Sequence, residues 1–174
     1  DPEGQTVTFS LSGTGSENFS VDSSGNISLV NALDYETATS YTLALNASDG
    51  VNTTTSELII TVDDVNEAPS LTNALAASSF AENVSTGTTI ATASASDPES
   101  QAITYSLSGT GSGNFAVDSS GNITLAAGLD YETATSYSLT LSASDGVNTT
   151  TNTLAISISD VNEAPSLTNA LAAS

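Results

Sequence analysis

Short stretches of this chain alternate apolar with polar residues. In TVTFSLS, Val7, Phe9 and Leu11 fall on one face and the Thr and Ser residues between them on the other. In SELIITV the same spacing selects Leu58, Ile60 and Val62. A period of two is that of a strand with one side against a core. NFSVDSSGNISL reads as a hairpin, with Phe19, Val21, Ile27 and Leu29 on two strands and the turn formers of DSSGN between them. Asp22 in that turn, and Asp118 in its later counterpart, are expected to cap it with their side chains. No apolar run approaches the roughly 18 residues of a membrane-spanning helix.

The pattern occurs twice. Asp1 recurs as Asp97, Asp34 as Asp130 and Asp64 as Asp160, each 96 residues on, and 59 of the 78 positions in 1–78 are identical in 97–174. The inward set of SELIITV stays apolar in the second copy, as Leu154, Ile156 and Ile158, while the outward Glu57 and Ile59 become Thr153 and Ala155. Residues 79–96, SFAENVSTGTTIATASAS, have no counterpart ahead of Asp1. The expected organisation is a repeat over 1–67 that lacks its first strands, a complete repeat over 68–165 and the start of another at 166–174. Such a layout is that of a longer tandem array entered in mid-repeat. About seven short strands per repeat, separated by turn residues, predict an all-β fold of tandem immunoglobulin-like, Greek-key β-sandwiches.

Composition then narrows the chemistry. The chain has no Lys, Arg, His or Cys, and its 20 Asp and Glu give a formal net charge of -20. With no internal cation, clustered acids must be solvated, protonated or bound to a cation from outside. Nothing basic is available to receive a phosphate backbone, and an anionic bilayer would repel the chain, so neither nucleic acid nor membrane insertion is expected. Disulfides, thiolate zinc sites, imidazole bases and Schiff bases are all excluded. Carboxylates, hydroxyls and amides remain, and these hard oxygen donors suit calcium, magnesium or manganese. Closely spaced carboxylates also serve glycosidases. Here they recur once per repeat without basic or aromatic sugar-binding residues, and no enzyme is expected. Asn-x-Ser/Thr triplets at Asn18, Asn26, Asn46, Asn52, Asn83, Asn122 and Asn148 leave glycosylation open, since a chain this rich in Ser, Thr and Asn generates them by chance.

The acids lie in motifs of fixed order: FAEN (80–83), SDPE (96–99), LDYE (129–132), ASDG (143–146) and DVNEAP (160–165), the last also at 64–69. In this order, over a sandwich-sized span, they resemble the cadherin repeat in its bacterial cadherin-like form, and the resemblance covers the whole chain. It implies that the motifs meet at the boundary between successive domains and bind calcium (Ca2+) there, up to about three ions per boundary. Carried over by position, the boundary inside this chain would use Asp34, Glu36, Asp64, Asn66, Glu67, Asp97, Glu99 and Asp145, with the carbonyls of Val65 and Ala68. Glu82, Asp130, Glu132, Asp160, Asn162 and Glu163 would serve the next boundary, and Asp1, Glu3 and Asp49 one upstream.

Several positions depart from the animal pattern. Tyr131 stands where Arg is usual, DPE replaces an Asp-x-Asp, and Glu67 and Ala68 replace Asp and Asn, which bears on ion number and affinity. The implied function is a calcium-rigidified shaft segment of a large extracellular bacterial adhesin or surface filament, located at the cell surface and partnered by neighbouring repeats. Two rival readings stay open. One is an adhesive module that grips a polysaccharide or a like domain on another cell. The other is a non-covalent filament whose subunits complete one another's missing strands.

Overall fold

The computed structural model describes residues 4–73 and 75–165, so Asp1, Glu3 and the stretch 166–174 lie outside the described residues. Strands account for 47% of the described residues, among which no α-helix occurs. The chain divides between Val65 and Asn66 into two units.

The first unit contains β1 (Thr8–Ser12), a 3-10 turn (Ser16–Asn18), β2 (Phe19–Val21), β3 (Ile27–Leu29), β4 (Ser40–Ser48) and β5 (Thr53–Thr61). An antiparallel sheet of order β1-β4-β5 sets Leu11 opposite Leu45 and Leu43 opposite Leu58. β2 and β3 form the expected hairpin, with Val21 opposite Ile27. Its turn is held by Asp22, whose Oδ1 accepts the N–H of Ser24 at 2.8 Å and of Asn26 at 2.9 Å, while Oδ2 accepts the Asn26 amide at 2.8 Å. Phe19, Tyr41 and Leu43 are buried, and Leu11, Ile27, Leu58, Ile60 and Val62 pack partly against them.

The second unit contains β6 (Ser70–Leu71), β7 (Ser78–Ala81), β8 (Thr89–Thr92), β9 (Ala95–Ser96), β10 (Thr104–Thr110), a 3-10 turn (Ser112–Asn114), β11 (Phe115–Val117), β12 (Asn122–Leu125), β13 (Ser136–Ser144) and β14 (Thr149–Ser159). One sheet has the order β10-β13-β14-β7, the other β11-β12-β8, and β6 pairs with β9. Leu139, Leu141, Leu154, Ile156 and Ile158 from the first sheet meet Phe115, Ile123 and Leu125 from the second in a single core. The alternation along β14 decides which of its side chains go inside: Leu154, Ile156 and Ile158 are buried, while Thr153, Ala155 and Ser157 are exposed. Asp118 repeats the cap of Asp22, accepting from Ser120 and Asn122 at 2.9 Å each.

An aromatic pair anchors each core, Phe19 against Tyr41 at 5.4 Å and 74°, and Phe115 against Tyr137 at 5.3 Å and 77°. These are edge-to-face arrangements, favoured by the ring quadrupoles. Both tyrosines lie over a glycine with φ of 79°: a Cβ on Gly15 would sit 2.5 Å from the Tyr41 ring, and one on Gly111 would sit 2.4 Å from that of Tyr137. Only glycine meets both the backbone and the space requirement.

Candidate metal centre

Strand direction assembles an acidic cleft at one end of the second unit. β7 runs parallel to β14, pairing Ser78–Ala81 with Ile156–Ser159, so both strands leave the sheet on the same side. Glu82 follows the first and the DVNEAP segment the second. β13 is antiparallel to β14, and its first residue, Ser136, lies opposite Ser157. The LDYE turn ahead of β13 therefore reaches the same end. Glu82, Asn83, Leu129, Asp130, Glu132 and Glu163 line an open cleft of 530 Å³. Carboxylate oxygens of Glu82, Glu132 and Glu163 lie within 4.8 Å of one another.

Glu82 is the one buried charged side chain among the described residues, at 8% exposure. Its Oε2 accepts the Tyr131 N–H at 2.6 Å and its Oε1 the Val161 N–H at 2.7 Å. These bonds, Tyr131 foremost, hold its carboxyl below the ordinary value against burial and, to a lesser degree, the like charge of Asp130. Glu163 is pushed the other way, by burial of its carboxylate first and by the charge of Glu82 second. Like charges this close cannot all ionise without a counter-ion. Asp130 is set by Thr133, whose hydroxyl donates to Oδ2 at 2.8 Å and whose N–H donates to Oδ1 at 3.2 Å. Asp160 and Asn162 are exposed, and the Asn162 amide donates to the Glu163 carbonyl at 3.4 Å.

At the β13–β14 turn, Asp145 Oδ1 accepts the N–H groups of Val147 and Asn148 at 2.6 Å each, and its Oδ2 accepts the Asn66 amide at 2.8 Å. Burial opposes ionisation of Asp145, but the Asn66 bond and these two N–H groups outweigh it and keep its carboxyl below the ordinary value. The Asn148 amide donates to the Asn66 carbonyl at 2.9 Å, and the Gln101 amide donates to Asn66 Oδ1. Asn66 is thereby fixed to the body of the second unit, and Glu67, which follows it, is exposed. Asp97 Oδ1 accepts the Gln101 N–H at 3.0 Å, while Asp97 Oδ2 and both oxygens of Glu99 are buried with no hydrogen-bond partner. Buried carboxylate oxygens without a donor are costly unless a cation meets them.

In the first unit Asp34 caps the LDYE turn, its Oδ1 accepting the Glu36 N–H at 3.0 Å and its Oδ2 the Thr37 hydroxyl at 2.7 Å. Carboxylate oxygens of Glu36 and Asp64 lie within 4.8 Å of each other. Asp49 repeats the turn of Asp145, accepting from Val51 at 2.8 Å and Asn52 at 2.6 Å. Asp1 and Glu3 lie outside the described residues.

Sequence reasoning gave no role to Gln101 or to the N–H groups of Tyr131 and Val161, and met Asn148 only as one of the Asn-x-Ser/Thr triplets. A signal existed for Gln101 and Asn148: Gln5 matches the first and Asn52 the second across the 96-residue period. The main-chain donors carry no side-chain signature.

The cadherin domain model matches residues 1–63 and 77–159. The chain belongs to the cadherin family. Mouse cadherin-related family member 1 is 34% identical over 182 aligned positions, covering 94% of this chain and 21% of that protein. Mouse protocadherin Fat 4 is 33% identical over 177, covering 94% of this chain and 4% of that one. The chain thus spans about a fifth or less of these relatives, which are animal cadherins. Among solved structures, human protocadherin-24 EC1-2 (form II) aligns with a TM-score of 0.64 at 26% identity, over 92% of this chain and 85% of that one. Mouse cadherin-23 EC22-24 aligns with a TM-score of 0.61 at 25% identity, over 90% of this chain and 55% of that one. The cadherin fold and its tandem repetition follow for this chain from the family. No helix among the described residues is long and apolar enough to cross a membrane.

The residues present fit a calcium ion. The cleft of this cadherin offers four carboxylates and the Asn83 amide, oxygen donors of the kind calcium takes, and Asp97 and Glu99 hold buried oxygens that lack any donor.

Proposed function

We propose that this cadherin chain is a calcium-stiffened shaft segment of a large extracellular adhesin or surface filament, and that it stands on a bacterial cell surface. The observation that carries the calcium reading is the convergence of Glu82, Glu132 and Glu163 within 4.8 Å in a chain with no cation of its own. Glu82, Asp130, Glu132, Asp160, Asn162 and Glu163 would hold the ion or ions at that end. Asp34, Glu36, Asp64, Asn66, Glu67, Asp97, Glu99 and Asp145 form the set assigned to the inner boundary, and Asp49, with Asp1 and Glu3, the set assigned upstream. Calcium would supply positive charge and six to eight oxygen-coordination positions per ion.

Near-identity of the repeats supports a shaft, since 59 of 78 aligned positions match and a single recognition surface would not need repeating. The acids lost between copies, Glu17, Glu57 and Asp63, all lie outside the motifs. The bacterial assignment rests on the departures from the animal motifs, namely Tyr131, the DPE triplet and the Glu-Ala of the linker. Neighbouring repeats are the partners the shaft reading needs, and no catalytic group is required. Small-angle scattering tests it. The maximum dimension should grow and its distribution narrow in millimolar calcium relative to chelator, and identical profiles with calcium shown to be bound would remove the stiffening role.

A further inference from the structure

Outward side chains along the last strand of each unit are where the two copies part. At alternate positions β5 and its extension carry Glu57, Ile59, Thr61 and Asp63, all exposed. The same positions along β14 are Thr153, Ala155, Ser157 and Ser159, also exposed. None of the four is kept, although the inward Leu58 and Ile60 recur unchanged as Leu154 and Ile156. One copy therefore presents two carboxylates and a branched apolar side chain, the other hydroxyls and a methyl.

The exchange of Ile for Ala leaves a knob on one unit and a hollow on the other. Ile59 lies opposite Thr42 and is 61% exposed. In the second unit Ala155 lies opposite Ser138 at the same register, and the two, with Ala77, Ser78, Ile156 and Ser157, help line a groove of 290 Å³, ample for an isoleucine side chain. No charged residue lines it, in a chain with 20 Asp and Glu. Ala155 is exposed with β7 in place beside β14, so a residue at this position points to solvent in the complete sheet. The projection of Ile59 follows from its place in the strand.

We propose that the outer face of the first unit docks on the outer face of the second unit of another copy of this chain, with Ile59 seated in the groove over Ala155. Charge specifies the occupant as well as shape. Copies with a net charge of -20 repel wherever carboxylates meet, and this pairing sets Glu57 and Asp63 against a strand face that carries the donor hydroxyls of Thr153 and Ser159 in their place. Pairing of like faces would oppose acids to acids or leave both grooves unfilled. Each chain in the proposed pairing keeps a free knob and a free groove, so assembly is heterologous and open-ended. Three strands, the longest of nine residues, present a face of roughly 400 Å² at the usual strand spacing and rise. That is about half of what each partner of a stable complex buries, so a single contact is weak and growth depends on concentration. The inference uses neither the acidic motifs nor calcium, and it and the shaft reading can each fail without the other.

Sedimentation velocity of the full chain over a concentration series tests it, in calcium and in chelator, at about 0.15 M salt, where repulsion beyond about 8 Å is screened. The weight-average sedimentation coefficient of the parent should rise with concentration in both conditions, without a plateau at the dimer. Ile59→Ala removes the knob and Ala155→Gln fills the groove with an uncharged side chain. Each variant alone should associate at least about tenfold more weakly, with an unchanged melting temperature because both positions are exposed. An equal mixture of the two should recover association that stops at a 1:1 dimer, since one chain then supplies the only knob and the other the only groove. A parent that stays monomeric at millimolar concentration, or association left intact by either variant, would overturn the proposal. Association seen in calcium alone would overturn it in favour of cation bridging between acidic ends.

Discussion

Glu82 accepts the main-chain N–H of Val161 at 2.7 Å, across 79 residues of chain. The same carboxylate takes the Tyr131 N–H at 2.6 Å, so one side chain ties FAEN, LDYE and DVNEAP of a single repeat together. A carboxylate has about four acceptor positions, and these two bonds leave others directed at the cleft. Glu82 is therefore a strut for the linker whether or not a cation is present.

Glu82→Gln keeps the shape but turns one acceptor into a donor facing an N–H. The variant is expected to melt roughly 5 °C lower than the parent in chelator. It should also lose much of the stabilisation that calcium gives the parent. Differential scanning calorimetry with and without calcium separates the two effects.

A pH effect follows from the turn caps. The Asn122 amide first, then the N–H groups of Asn122 and Ser120, hold the Asp118 carboxyl below its ordinary value of 3.8. Asp22 is lowered in the same way by Asn26 and Ser24. A lowered folded-state pKa means that the unfolded chain binds the proton more readily. The stabilisation is thus complete above about pH 4 to 5 and is lost as pH falls through the lowered value. In chelator, Asp22→Asn with Asp118→Asn should be less stable at pH 6 and lose stability less steeply between pH 4 and 2, as measured by urea denaturation.

The sequence is most informative where a side chain acts alone on its neighbours. Period-two alternation placed Leu58, Ile60, Leu154, Ile156 and Ile158 on the inner faces, because burial on one side of a strand imposes that spacing on any sequence. The Asx caps of Asp22 and Asp118 were legible because the bond partners are two and four residues away. The bonds to Glu82 were not, since an N–H donor is the same in every residue and its position depends on the parallel pairing of β7 with β14. The different burial of Leu29 and Leu125 was legible in outline, since β12 has β8 beside it and β3 has only β2 among the described residues, in line with a first repeat read as lacking its first strands.

Gly111 is expected to resist substitution. Gly111→Ala places a methyl against the Tyr137 ring at a φ of 79°, and a loss of more than about 2 kcal/mol in chemical denaturation is expected. Gly128, with nothing within 4 Å of a Cβ, is the control, and Gly128→Ala should stay within about 0.5 kcal/mol of the parent.

Equivalent leucines should differ in cost. Leu125 is 1% exposed and Leu29 56%. Leu125→Ala should therefore cost about 2–5 kcal/mol and Leu29→Ala less than about 1 kcal/mol. Equal losses, measured by the unfolding of each unit, would mean that the face around Leu29 is covered in solution.

Calcium titration by calorimetry, on the full chain and on Glu132→Gln with Glu163→Gln, tests the central claim most directly. The parent should take up calcium with a saturable heat, and the double variant should bind fewer ions or bind at least about tenfold more weakly, with the first unit's Asp22→Asn unchanged from the parent. Absence of saturable uptake by the parent at millimolar calcium, or identical titrations of parent and double variant, would contradict the assignment of the Glu82–Glu132–Glu163 cleft as a calcium site.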